Sequence, residues 1–242
     1  ELNQAIYRFD TPLLPGEQRE LKAKFRYNQP QLWPHRSQQV VKSAFSYLNA
    51  KPLLPVVGYQ PEWQLLEPKI RNSYGLQKAP KSPDVFSFLN TASQSISLNT
   101  VLSTQQGHFG LSQGELLDSW TQEGRVFFRF ETQQEISANP AWLSVPYSAQ
   151  TRTVDGVTLS VFNPRLFSPS RNQAVEVNLN AMADTVTWFS EHIAPYPGSR
   201  LSLVAMPDSK SASQVLPQFI LMGDSIGFRA LPSSSAKFDQ RY

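Results

Sequence analysis

The chain has 242 residues, 40% hydrophobic and 12% aromatic, enough for a packed core, which excludes a disordered chain. Its net charge of +3, from 22 basic and 19 acidic residues with no run of one sign, argues against an electrostatic nucleic-acid binder. Cysteine is absent, which removes disulfides, thiolate catalysis and cysteine-ligated zinc together. Proline is abundant (19) and glycine moderate (11), a balance that favours strands joined by turns over a helical bundle. No apolar run reaches the roughly 20 residues of a membrane-spanning helix. The opening ELNQAIYRFD has neither the basic start nor the apolar core of a signal peptide.

In chain order, Leu13 to Gln18 reads as a turn leading into a strand. Leu21, Ala23, Phe25 and Tyr27 then alternate with Lys22, Lys24 and Arg26, the pattern of a half-buried strand with a wet face. Val40 to Leu48 reads as a further, loosely patterned strand. Pro55 to Leu76 predicts a strand end, a turn at Gly58 and a short helix. Pro61 suits the first helical turn, Trp63, Leu66 and Ile70 share one side, and Gly75 ends the helix in the left-handed conformation. A Pro-rich connection follows from Lys78 to Asp84.

From Val85 the segments VFSFL, SISLNTVL, RVFFRFE, WLSVPYS and GVTLSVF come at short intervals, the pattern of an antiparallel sheet or sandwich. Within Arg125 to Glu131, Val126, Phe128 and Phe130 share one face; Phe127, Arg129 and Glu131 lie opposite. The character changes near Asn163 to Arg171. Asn178 to Ile193 predicts a helix capped by Asn178 and stopped by Pro195, with Leu179, Met182, Ala183, Val186, Phe189 and Ile193 as one stripe. Leu201 to Pro207 reads as a buried strand. The polar SKSAS then leads to FILMGDSIGFRA, a strand or strand pair.

Three histidines, His35, His108 and His192, are far apart and share no i, i+4 spacing, so no helical histidine pair can ligate zinc. His35 and His108 read as loop residues, and His192 as a structural group at a helix C-terminus, where a cationic imidazole is favoured. Glu115 and Asp118 are better explained by a solvated turn than by a glycosidase pair. No G-x-S-x-G elbow, phosphate loop or dinucleotide fingerprint occurs.

The residues also carry a resemblance. Pro55, Gly58, Tyr59, Glu62, Leu65, Arg71, Tyr74, Gly75 and Leu76 are followed by a strand phrase, Glu123 to Glu131. Then come a helix and "YP" turn, Thr187 to Pro197, with the strand Leu201 to Pro207, and finally GDSIGF at Gly223 to Phe228. In this order they resemble the zinc aminopeptidases of metallopeptidase family one (gluzincins), and among them the bacterial branch fused to a transporter-type membrane permease.

The resemblance implies a mainly β fold with minor α. An antiparallel, saddle-like β domain (residues 1–165) would be followed by the first helix and strands of a thermolysin-like catalytic domain, incomplete here (166–242). The family's HExxH motif is missing from this chain, so truncation or descent into a pseudoenzyme is implied. No catalytic or metal-ligating residue is expected in this chain, and no cofactor; zinc is expected in an intact, active parent.

By the same resemblance, Met222, Gly223 and Asp224 match the edge strand that runs along a peptide substrate, with the Asp224 carboxylate on the substrate's free amine. This chain has Asp where the branch has Glu, and a turn role for Asp224 beside Gly223 explains it equally well. The glutamine that helps bind the amine in relatives is not evident in Ser46 to Lys51. The expected partners are a peptide substrate of the parent, the rest of its own polypeptide and a membrane permease, with no nucleic acid. The expected location is the periplasmic side of a bacterial membrane. Two alternatives stand beside this: a β-sandwich interaction module for a peptide or partner domain, and a carbohydrate-binding domain using Trp33, Trp63, Trp120 or Trp142, most of which read as core or turn anchors.

Overall fold

The computed structural model describes residues 9–27, 40–50, 53, 65–78, 95–164, 169–207 and 213–228. Among these described residues it is mainly β, with 45% strand against 19% helix, several antiparallel sheets and no closed barrel. Among the described residues there are fourteen strands and three helices.

β1 (Val40–Lys42) and β2 (Phe45–Asn49) form a tight hairpin, with Lys42 opposite Phe45. The single loose strand expected from Val40 to Leu48 is therefore two strands. Ser43 and Ala44 lack the usual turn signature, so the break is invisible in composition. The turn expected in Leu13 to Gln18 is present, closed by the Glu17 N–H on the Leu14 carbonyl at 3.0 Å. Leu21 to Tyr27 carries no strand, and Leu21 and Phe25 are 55 and 52% exposed. Alternation specifies a face but not a neighbour, and a strand persists only where another takes up its backbone groups.

α1 (Pro68–Ser73) starts at Pro68, not near Pro61, which lies outside the described residues with Trp63 and the VFSFL segment. Its end is as read. Gly75 sits at φ +64°, its N–H bonds the Asn72 carbonyl at 3.1 Å, and the Leu76 N–H bonds the Arg71 carbonyl at 2.9 Å. These two bonds make a Schellman cap. Arg71 also donates to the Leu65 and Gln77 carbonyls, both at 2.7 Å, so it clips the two flanks of the helix together. No residue of α1 is buried.

Sheet one runs β1-β2-β9-β5, with β5 at Phe109–Ser112 and β9 at Ala141–Val145. Sheet two runs β4-β7-β6 (Asn99–Gln105, Arg125–Glu131, Glu115–Gln122), and β3 (Ser95–Ile96) pairs β8 (Ile136–Ser137). Phe128 and Phe130 of β7 are buried while Arg129 is exposed, as the alternation requires. Gly110 lets the first two sheets approach, because a Cβ there would lie 2.5 Å from the Phe128 ring. Glu115 and Asp118 stand on β6 rather than in a turn. β6 is an edge strand with a bulge at Leu116/Asp118, so it lacks the clean alternation that marks a half-buried strand.

The third sheet is mixed, ordered β10-β11-β12-β14-β13. β10 (Tyr147–Val154) and β11 (Val157–Pro164) form a hairpin at Asp155 and Gly156, whose φ values of 50° and 77° suit a type I′ turn. The chain then crosses through α2 (Pro169–His192) to β12 (Arg200–Met206), parallel to β11. β13 (Ser213–Leu216) and β14 (Phe219–Gly223) form a second hairpin, with β14 parallel to β12. α3 (Asp224–Gly227) follows. The expected division at residue 165 falls between β11 and α2, inside this crossover.

α2 begins at Pro169, nine positions before the expected cap. Asn178 is therefore inside the helix, where its amide donates to the Ala174 and Gly227 carbonyls, both at 2.9 Å. The start is masked because residues 171–177 lack a continuous apolar stripe, although Ala174 and Val175 are buried. The expected stripe buries Leu179, Met182 and Val186 and then runs out, leaving Ile193 62% exposed. The main core joins sheets one and three with this helix: Phe45, Tyr47, Leu143, Leu159, Val161, Val175, Val204 and Leu221 belong to one cluster. Phe45 packs on Tyr147, and Phe109 on Phe162.

Candidate functional site

Met222 and Gly223 end β14, where Met222 stands between Ala205 of β12 and Ser213 of β13. Among the described strands the edge position belongs to β13, with Val215 76% exposed, and β14 lies inside it. Asp224 begins α3 and is buried. Its two carboxylate oxygens accept from Arg171 Nη1 at 2.7 Å and Nη2 at 3.1 Å, a bidentate pair in which both side chains are over nine-tenths buried. Arg171 comes from the first turns of α2, and its guanidinium also lies 5.8 Å from the Phe228 ring centroid. Burial and the Asp224 charge push the Tyr147 phenol far above its ordinary range, with Arg171 pulling the other way.

The cluster Tyr147–Arg171–Asp224 thus joins β10, α2 and α3. Asn178 reinforces it by holding the Gly227 carbonyl. Gly227 packs closely there: a Cβ would lie 2.2 Å from the Met222 sulfur, so the flexible Met222 side chain would have to move. A substrate ammonium at Asp224 would compete with a guanidinium already seated on both oxygens. Arg171 is the residue that sequence reasoning missed. It lies 53 positions from Asp224, in a stretch with no helical stripe, and no local signal links the two.

A second constellation lies where the β5–β6 corner meets the third sheet. Arg200 donates to the Gly114 carbonyl at 2.7 Å and to the Ser112 carbonyl, and stands 4.9 Å over the Phe130 ring. Burial lowers its pKa to about 10, against the raising effects of Glu115 and Tyr196. Gln218 accepts the Gly114 N–H at 2.6 Å and donates to Glu115 at 3.0 Å, while Glu115 also accepts from the Ser199 N–H and hydroxyl. Beside this seam is an open cleft of about 780 Å³ lined by residues 132–137, Tyr196, Leu201, Val215, Leu216 and Ile220 among others. Its volume falls in the range of small-molecule clefts.

The histidines stand apart from both clusters. His108 lies in the β4–β5 turn, buried, with Nδ1 3.0 Å from Ser144 Oγ and Nε2 2.6 Å from the Gln105 amide nitrogen. A neutral ring fits both contacts, donating from Nδ1 and accepting at Nε2, and burial lowers its pKa. His192 closes α2, with Nδ1 donating to the Trp188 carbonyl at 2.8 Å and its ring stacked on Trp188. His35 lies outside the described residues. Zinc, implied by the resemblance for an intact parent, does not fit the described residues: no three His, Asp or Glu converge on one point. Among the described residues no helix is long and apolar enough to cross a membrane. Neither a family model nor a curated protein matches the chain.

Proposed function

We propose that the chain is a non-catalytic portion of a zinc-aminopeptidase-like protein, whose parent is a metallo-aminopeptidase removing N-terminal residues from peptides or an inactive descendant of one. The observation that carries this reading is the order of architecture. Antiparallel sheets come first, then a mixed sheet built by the β11–α2–β12 crossover and finished by an antiparallel edge strand, β13. That order agrees with a β domain leading into the opening of a thermolysin-like domain. An exposed edge strand beside a cleft is also the arrangement that accepts an extended peptide by strand addition.

On this reading the substrate peptide belongs to the parent, and zinc would be held by residues beyond those described. The partners are the rest of the polypeptide and a bacterial membrane permease, which places the domain on the periplasmic side. The chain alone binds no stoichiometric zinc and cleaves no aminoacyl anilide. The test is the coding sequence immediately downstream in the parent gene, with zinc analysis and anilide hydrolysis on this chain. HExxH followed by a later Glu supports an active parent. Tight stoichiometric zinc in the 242-residue chain overturns the reading, and so does a full-length gene whose downstream sequence continues into an unrelated fold.

A further inference from the structure

The mixed third sheet ends at β10, and that edge carries none of the devices that keep strand edges apart. β10 is eight residues long, stays in continuous register with β11, and holds no Pro, Lys or acidic residue. By contrast β6, of equal length, is broken by its bulge, and β1 and β13 are three and four residues long. The two-residue turn at Asp155 and Gly156 fixes which backbone groups of β10 look outward. Val154 and Val157 flank it as the first hydrogen-bonded pair, so pairing with β11 uses the N–H and C=O groups of Val154, Arg152, Gln150 and Ser148. Those of Ala149, Thr151 and Thr153 point away from the sheet, and among the described residues nothing takes them up. All three of these residues are exposed.

The edge is complementary to itself. A strand related to its own copy by a two-fold axis pairs antiparallel, and an axis through Thr151 brings the outward groups into register. Thr151 then stands opposite the partner's Thr151, and Ala149 opposite the partner's Thr153, each as a hydrogen-bonded pair. On the other face Arg152 stands opposite the partner's Gln150, so no like charges meet. α2 packs over both β10 and β11. With neighbouring strands about 4.8 Å apart, two such helices would lie about 10 Å from each other across the axis, a separation at which helices pack. Arg152 adjoins Thr151 and bonds Glu176 of α2 at 3.1 Å. A pair of these ion pairs around the axis forms an alternating, balanced cluster instead of the like-charge contact that would keep copies apart. The threonines and exposed ion pairs of this surface suit a reversible dimer rather than an obligate, apolar one.

We infer that β10 joins a second copy of this chain across a two-fold axis at Thr151, extending the mixed sheet through both molecules. The test is sedimentation velocity of the full chain from micromolar to near-millimolar concentration. The expected result is a reversible monomer–dimer equilibrium that added salt weakens. Thr151→Lys sets two cations against each other at the axis, and Glu176→Lys replaces the balanced cluster by like charges. Each should raise the dissociation constant by about tenfold or more, with the far-UV circular dichroism of the monomer retained, since both positions are exposed. The chain has no cysteine, so single introduced thiols report the pairing. Thr151→Cys should close into an intermolecular disulfide under mild oxidation, because Cα atoms paired in this way lie about 5.5 Å apart. Thr153→Cys, about 14 Å from its own copy, should stay reduced. A chain that is monomeric throughout leaves the edge to some other partner and overturns the inference. So does a dimer that Thr151→Lys and Glu176→Lys leave unchanged, which would belong to another surface, or equal cross-linking by the two thiols. Zinc content and peptidase activity do not enter this outcome, so its failure is distinct from failure of the proposed function.

Discussion

The sharpest test of the Met222–Asp224 region is a double-mutant cycle on its buried ion pair. Arg171 and Asp224 have side chains 8 and 6% exposed, and they meet through two hydrogen bonds. Removing one partner leaves the other charged and buried, which costs about 3–5 kcal/mol. Arg171→Met and Asp224→Ala are each expected to lose about 3 kcal/mol or more. The double variant leaves no stranded charge and should lose about as much as either single, a coupling energy near 3 kcal/mol. Urea unfolding at neutral pH, with unchanged m-values, measures the cycle. A second readout comes from Tyr147, because Asp224 helps hold its phenol protonated. In Asp224→Ala that phenol should titrate at lower pH than in the parent chain. Additive single losses, within about 0.5 kcal/mol, would refute the reasoning.

Two glycines separate conformational strain from steric clash. Gly114 (φ +91°) and Gly156 (φ +77°) both require the left-handed region, but a Cβ on Gly114 would lie 2.5 Å from the Glu131 carbonyl carbon, whereas Gly156 has nothing within 4 Å. Gly156→Ala should cost about 1–2 kcal/mol and Gly114→Ala clearly more, by thermal or urea unfolding; equal costs would refute the contact. His108 is held neutral by burial below its ordinary pKa of 6.5. The unfolded chain therefore binds the extra proton first, so this contribution is intact above pH 6.5 and is lost as pH falls from there through the folded pKa. The urea midpoint should fall on that acid side, and His108→Gln should flatten the fall; an unchanged slope refutes it. Gly75→Ala should melt the cap of α1 without changing global stability, because α1 buries nothing. Hydrogen exchange at Gly75 and Leu76 should quicken while the urea midpoint holds, and a shifted midpoint would show that α1 packs on the core.

What was legible in the sequence follows from the range of the interactions involved. The Gly75 cap, the β7 alternation and the Leu201–Pro207 strand rest on neighbours within a few positions, and each was readable. β5, β6 and the true start of α2 were not. β6 is a solvated edge whose apolar residues Leu116 and Leu117 stay about half exposed, and the first turns of α2 are held by Arg171 on Asp224 rather than by a stripe. The Leu21 to Tyr27 alternation failed in the opposite sense, a local pattern without the pairing it needs. The site was legible only as a phrase. Asp224 was singled out, but its environment depends on a cation 53 residues away.

The seam at Arg200 bears on how any activity in this chain must be organised. Arg200 gives its donors to the Gly114 and Ser112 carbonyls, at the corner where sheet one passes into sheet two, while its backbone belongs to β12 of the third sheet. Gln218 makes the reciprocal link, from the β13–β14 turn to the Gly114 N–H and Glu115. Burial works against the Arg200 charge, and two carbonyl partners and the nearby Glu115 offset that cost. Freed from the corner, the guanidinium, both carbonyls and the Gly114 N–H would all need new partners. The mixed sheet, with β13 and the cleft beside it, is therefore positioned by the antiparallel sheets rather than merely attached to them. The lining of that cleft comes from both sides of the seam, residues 132–137 from one and Tyr196, Leu201, Val215, Leu216 and Ile220 from the other. Of the three residues that hold this corner, Gln218 itself lines the cleft while Gly114 and Arg200 do not, so changes at Gly114 and Arg200 should reshape the cleft without removing a lining side chain.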